Sequence, residues 1–304
     1  MRVNKAVMMS LICSSTIARA SRRYHQPVFG AIAAFSSHSS PTKADKVSAD
    51  SGDEVDGDFS PWNDPRLAER AEGRHAFRSR QHVNPLASKF QQPTVLSPGW
   101  PSDVFNDLSR PLFLDIGCSR GGFLVDFASL RPGEYNYLGL EIRPIVVHQA
   151  QTRVKKHGLD GFLDFVGCNA NVDLERLLTI ADAKDKLQVV TIQFPDPHFK
   201  ARHAKRRVVT PELVLTLAKF MPTGATVFLQ SDIQSVLDDM RYQFRQEPDL
   251  FRDDVEDDQD YLDENIFGIP TERETSVLEK NLPVYRTTFT RTPEPFFLED
   301  IETP

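Results

Sequence analysis

From Leu112 onward the chain repeats one unit: a short apolar run, a turn, then a stretch with helical spacing. That alternation narrows the fold class sharply, because parallel strands can be joined only through a crossover, usually a helix. LFLDI (112–116) is the first run, followed by a glycine-rich turn and the helix-like FLVDFASL. YLGLEI (137–142) is the second; Pro144 then starts a helix reaching Lys156, with Gly158 as its stop. FLDFVG (162–167) and NVDLERLLTIA form the third pair, and LQVVTIQF (187–194) is a strong fourth strand. After a basic loop, Thr210 and Pro211 read as the N-cap and first residue of a helix ending near Met221. ATVFLQ (225–230) and DIQSVLDDMRYQF follow, and VYRTTFTR (284–291) alternates like a last strand. The expected architecture is α/β, a doubly wound, mostly parallel sheet.

The chain ahead of this pattern differs in composition. Residues 1–44 carry Arg2, Lys5, Arg19, Arg22, Arg23 and Lys43, no Asp or Glu, and much Ser and Ala. That is the composition of an organelle transit peptide; a disordered tail with no address is the plainer reading. DKVSADSGDEVDGDFS (45–60) has little to bury and reads as a disordered linker. Transit peptide and linker together make up 1–60, and 61–107 reads as an N-terminal basic arm. In that arm Arg66, Arg70, Arg74 and Arg78 recur every four residues, along one face of a helix. Such a face is either solvated or set against phosphate. Its helix ends at or before Asn84, since Pro85 follows. The α/β domain spans 108–294, and 295–304 is a tail. Within the domain, 247–264 holds ten acids and one arginine and reads as a surface insertion around a weak strand.

Three cysteines, Cys13, Cys118 and Cys168, form neither a CxxC pair nor a disulfide framework, which points to a reducing compartment. Cys168 reads as an ordinary buried thiol. The eight histidines show no zinc spacing, so no metal is expected. No apolar run approaches the roughly 18 residues of a membrane span.

The net charge of −7 argues against a nucleic-acid partner only if the charge is evenly spread. FPDPHFKARHAKRR (194–207) shows that it is not. Asp196 sits between Pro195 and Pro197 at the C-terminal end of the fourth strand, where ligands bind in open α/β sheets. The prolines stiffen the loop and remove two donors. Lys200, Arg202, Lys205, Arg206 and Arg207 follow, too many to pair with one carboxylate. A polyphosphate backbone suits them; a solvated basic loop is the plainer reading.

The first strand leads into DIGCSRGGF, a nucleotide-binding turn in which Gly117, Gly121 and Gly122 let the backbone bend and a ligand approach. Ser119 stands where a dinucleotide fingerprint has its middle glycine. Asp115, just before the turn, would repel a pyrophosphate and favours a cationic ammonium or sulfonium, hence S-adenosylmethionine over NAD. Glu141, at the end of the second strand, is placed to accept from ribose hydroxyls. Asn169 and Ala170, after the third strand, are placed to meet the adenine. Each residue has a purely structural alternative: Asp115 caps the turn, Glu141 pairs with Arg143, and Gly121 and Gly122 serve helix packing.

DIG with its glycine turn, GLEI, FPDPHFKARHAKRR, QSDI and TERE (271–274) occur in the order found in the tRNA (guanine-N7-)-methyltransferases, and the chain resembles that family over about 105–292. QHVNPL is similar to plant and algal organellar members. The resemblance implies a class I S-adenosylmethionine-dependent methyltransferase fold with a seven-stranded sheet. It implies that Asp115, Gly117, Glu141, Arg143, Asn169, Ala170 and Asp196 line the cofactor site, with Asp196 also catalytic. Lys200, Asp232, Thr271 and Glu274 would contact the guanosine, and Arg202, Lys205, Arg206 and Arg207 the rest of the RNA. The family's usual target is the variable-loop guanine of tRNA, position 46. Cytosolic eukaryotic members work with a WD-repeat subunit, which an organellar member is expected to do without. Rival readings are an RNA-binding protein with a dead pocket, an NAD-linked oxidoreductase, and a methyltransferase acting on protein or a small molecule.

Overall fold

The computed structural model describes residues 60–64, 66–67, 82–255 and 260–296. The leader, Arg70, Arg74 and Arg78 of the arginine-rich stretch, and 297–304 of the tail lie outside the described residues.

Seven strands form one sheet: β1 (Leu112–Ile116), β2 (Asn136–Glu141), β3 (Leu163–Gly167), β4 (Leu187–Gln193), β5 (Thr226–Ser231), β6 (Phe251–Asp253) and β7 (Tyr285–Arg291). Their order is β3-β2-β1-β4-β5-β7-β6. β1 to β5 are parallel, while β7 runs antiparallel to both β5 and β6. The helices are α1 (Gly122–Leu130), α2 (Pro144–His157), α3 (Ala170–Ile180), α4 (Pro211–Phe220), α5 (Gln234–Arg245) and α6 (Glu272–Leu278). This is the class I methyltransferase arrangement.

The buried strands have an apolar set on each face, as strands covered on both sides require. Leu112, Leu114 and Ile116 join Leu177 of α3, Leu217 of α4 and Phe244 of α5 in one core. Phe113 faces the other way, into a core with Phe127 of α1 and Ala150 of α2. The local signals behave as their chemistry dictates. Gly158 ends α2 in a left-handed conformation, φ 65°. Thr210 caps α4 by accepting from Leu213 N, with Pro211 at the first helical position.

The second face is completed by an element that the strand–helix alternation does not announce. Phe267 packs against Phe113, Phe123, Phe127 and Phe228 with ring centroids 5.4–5.7 Å apart. The chain then enters α6 through a capping box: Thr271 Oγ1 accepts from Glu274 N at 3.0 Å, and Glu274 Oε2 accepts from Thr271 N at 3.3 Å.

The weak strand expected inside the acid-rich segment is β6, the edge strand beside β7. Asp253 takes the guanidinium groups of Arg241 and Arg245 at 2.6 and 2.7 Å, which ties the edge to α5. Residues 256–259 lie outside the described residues. The described parts of 61–107 pack on the domain. Trp62 donates to Ile142 O at 3.0 Å, and its ring fills the space a Cβ at Gly167 would need. Trp100 donates to Asp164 at 2.9 Å. Among the described residues no helix is long and apolar enough to cross a membrane.

Candidate active site

β1 and β4 are neighbours whose crossovers leave in opposite directions, and the crevice beyond their C-terminal ends is where an open α/β sheet takes a ligand. A cavity of about 500 Å³ opens there, lined by residues following β1, β2, β3, β4 and β5 and by the start of α6.

Asp115 forms its floor and is buried. It lies opposite Gly139 on one neighbouring strand and Thr191 on the other. Thr191 Oγ1 donates to Asp115 Oδ1 at 2.6 Å and Gln193 Nε2 at 3.4 Å. Both donors are neutral, and no cation pairs with this carboxylate among the described residues. Burial therefore pushes its pKa up from the ordinary 3.8 to about 6, partly offset by the two hydrogen bonds. A buried anion lacking a counter-ion is a site for a cationic group. In the turn above it, Gly117 has φ 82° and nothing within 4 Å of where a Cβ would stand. Gly121 has φ 70°, and a Cβ there would fall 2.3 Å from the Phe165 ring. Ser119 is left-handed without being glycine, φ 52°. Cys118 and Cys168 also line the cavity, and burial raises both thiol pKa values, so they are neutral walls.

Glu141 is buried and held by Arg143, whose backbone N, Nε and Nη2 donate to it at 2.8, 3.0 and 2.8 Å. The pairing with Arg143, one of the two uses open to Glu141, is thus present. Both residues line the cavity. Asn169 and Ala170 line it as well, but the Asn169 amide is committed. Its Oδ1 caps α3 by accepting from Asn171 N at 3.2 Å, and its Nδ2 is shared between Pro85 O and Phe90 O, each at 3.2 Å. The side chain fastens the N-terminal segment to the sheet and has no free donor for a base edge.

The Asp196 loop leaves β4 through Phe194, a bulky residue at φ 51°. Conformations of this kind persist where the surroundings impose them, and they cluster at functional sites. Asp196 reaches the cavity, and its Oδ1 lies 2.6 Å from His82 Nδ1. The cations beyond it divide into two kinds. Arg207 pairs with Asp239 of α5 at 2.5 Å and donates to His198 O at 3.2 Å, so it anchors the loop. Lys200, Arg202 and Lys205 are exposed, Arg206 lines the cavity, and none of the four has a carboxylate within 4.0 Å among the described residues.

On the opposite rim, Thr271, Glu272 and Arg273 line the cavity with Asp232, and Arg273 pairs with Asp232. Glu274 is not part of the lining. It is buried, and it holds Arg286 at 2.7 Å, Asn265 at 2.9 Å and Gln230 at 3.2 Å. Gln230 continues to Gln193 at 2.6 Å, and Gln193 to Asp115. A buried polar chain thus joins the Asp115 floor to the cap of α6. Gln193 and His82 line the cavity, Gln230 and Arg286 stand behind it in that polar chain, and sequence reasoning missed all four. A polar residue ending a buried strand was the available signal for the glutamines.

The "Putative methyltransferase" family model matches residues 109–287. A tRNA (guanine-N(7)-)-methyltransferase of Microcystis aeruginosa is 49% identical over 212 residues, 70% of this chain and 97% of that one. One of Synechococcus elongatus is 50% identical over 216 residues, covering 71% and 97%. One of Prochlorococcus marinus is 45% identical over 212 residues, covering 70% and 87%.

Proposed function

The chain belongs to the tRNA (guanine-N7-)-methyltransferases, and from that membership we propose what each side chain of the cavity does. S-adenosylmethionine supplies the methyl group, and the acceptor is N7 of a guanine in tRNA.

The residues suit that cofactor. Asp115, anionic without a counter-ion, faces its cationic methionine end beside the open backbone at Gly117. Glu141, fixed by Arg143, keeps lone pairs for ribose hydroxyls. Asn169 and Ala170 shape the adenine wall without the Asn169 amide reading the base. Asp232 and Thr271 meet the guanosine. Glu274 acts on it only through the Thr271 cap and Arg286. Lys200 meets the target guanosine through its phosphate, Arg202, Lys205 and Arg206 hold neighbouring phosphates, and Arg207 fixes the loop that carries them.

Guanine N7 has an in-plane lone pair and needs no deprotonation before it attacks a methyl group. The residues therefore need not supply a strong general base. Positive charge moves from the sulfur to the purine. A carboxylate lowers the barrier only if it lies nearer the purine than the sulfur in the transition state. At about 4 Å and an effective dielectric of about 20, one charge is worth roughly 4 kcal/mol to whichever end it faces. We assign that part to Asp196, which also orients the guanine through N1–H or the amino group. Alignment for in-line attack supplies much of the rest.

The observation that carries this reading is a buried carboxylate without a counter-ion in one cavity with Asp196, beside cations without carboxylate partners. We further propose that the target is the variable-loop guanine, position 46. We propose that the protein works in the plastid after losing its leader, and without a WD-repeat subunit. The cyanobacterial sources of the relatives and the basic, acid-free 1–44 support this. Incubation of the purified chain with labelled S-adenosylmethionine and unmodified tRNA, with mass mapping of the modified base, tests the target. Label on N7 of the variable-loop guanine is expected; label at another base or atom overturns it. Organelle fractionation tests the address, and protein found only outside plastids rejects it.

A further inference from the structure

We propose that His82 is a positioning residue for the methyl transfer, holding Asp196 in its working orientation; this rests on the role given to Asp196 above. Nδ1 of His82 lies 2.6 Å from Asp196 Oδ1, across 114 residues of sequence. A carboxylate only accepts, so Nδ1 is the donor. Asp196 has no other hydrogen-bond partner among the described residues. Pro195 and Pro197 restrict its backbone but leave χ1 free, so the imidazole is what selects the side-chain orientation.

The imidazole is delivered to that place by design of the surrounding contacts. Just after it, Pro85 O and Phe90 O both accept from Asn169 at 3.2 Å. Thr94 N donates to the buried Asp173 at 2.8 Å, and Arg176 returns to Thr94 O at 2.7 Å. Phe90 packs on Trp62, which itself sits against Gly167. The segment is thus tied to the ends of β2 and β3, and its leading residue reaches the loop after β4. Half-exposed polar pairs contribute little to stability. A pairing of this kind therefore matters for the geometry it imposes on the carboxylate that faces the purine.

Two substitutions separate the donor from the ring. His82→Phe keeps an aromatic ring and loses the donor. His82→Asn keeps a donor near the position of Nδ1. The full chain is loaded with saturating S-adenosylmethionine and mixed with unmodified tRNA, and single-turnover transfer is measured. His82→Phe is expected to slow transfer roughly tenfold, the lower end for one hydrogen bond to a charged group, with cofactor affinity unchanged. His82→Asn should recover most of that loss. In an Asp196→Ala background, which removes the acceptor, His82→Phe should have no further effect. Because His82 is 56% exposed, unfolding midpoints should match the parent. The proposal is overturned if His82→Phe transfers at the parent rate while Asp196→Asn is slow, or if Phe and Asn are equally slow. If Asp196→Asn itself runs at the parent rate, the role given to Asp196 fails and takes this one with it.

Discussion

Replacing Asp115 by asparagine should make the ligand-free protein more stable while destroying its grip on the cofactor. The carboxylate is buried, receives only neutral donors, and has its pKa raised from 3.8 to about 6. Each pKa unit is about 1.4 kcal/mol, so ionised Asp115 costs the folded state on the order of 3 kcal/mol. The sign follows from linkage. The folded state holds the proton more tightly than the unfolded chain, so the stabilisation is complete below about pH 4. It is lost as pH rises from about 4 through about 6, and stability is then level. Asparagine keeps the acceptor for Thr191 and carries no charge. Parent and variant should therefore unfold alike at pH 4 and differ by about 3 kcal/mol at pH 7, the variant being the more stable. Urea unfolding of both proteins at intervals from pH 4 to 7.5 measures this, because other groups cancel in the difference. Cofactor binding by calorimetry should disappear in the variant. In the parent its affinity should fall roughly tenfold from pH 7 to pH 5, as ionised Asp115 drops from about nine-tenths to one-tenth. A variant no more stable than the parent at pH 7, or a difference independent of pH, would refute the reasoning.

Two further outcomes follow from the same geometry. Glu274→Gln leaves Arg286 buried without its anion and should destabilise the fold by about 3 kcal/mol, read as a lower urea midpoint; a full-strength fold with selectively weakened tRNA affinity would instead make Glu274 a nucleotide contact. Neutralising Lys200, Arg202 and Lys205 together should reduce the salt dependence of tRNA binding by roughly two to three units of log K per log salt, at about 0.7–0.9 per phosphate contact. Cofactor affinity should stay unchanged.

How much of this was legible in the sequence depended on the range of the forces involved. The bounds of β1, the Thr210 cap and the Gly158 stop were readable because each rests on residues a few positions apart. A weak strand was readable inside 247–264, but not its bounds, because β6 is three residues held by pairing with β7; α6 is seven residues, too short to show periodicity. TERE read as a family motif; as a T-x-x-E capping box it also marked the start of α6. Asp115, Glu141 and Asp196 could be placed together because parallel strands in a doubly wound sheet end along one edge. What each side chain does there was less readable. The Asn169 amide is committed to carbonyls about 80 residues earlier in the chain, Glu274 to an arginine on β7, and Asp196 to a histidine in the N-terminal segment. No local pattern encodes such partners.

Asp196 is proposed to act in the chemical step, and single-turnover transfer by Asp196→Asn at saturating S-adenosylmethionine tests that most directly. With roughly 4 kcal/mol available from one well-placed charge, the rate should fall by about two to three orders of magnitude while cofactor binding holds. Transfer at close to the parent rate, or a loss explained by cofactor affinity alone, would contradict it.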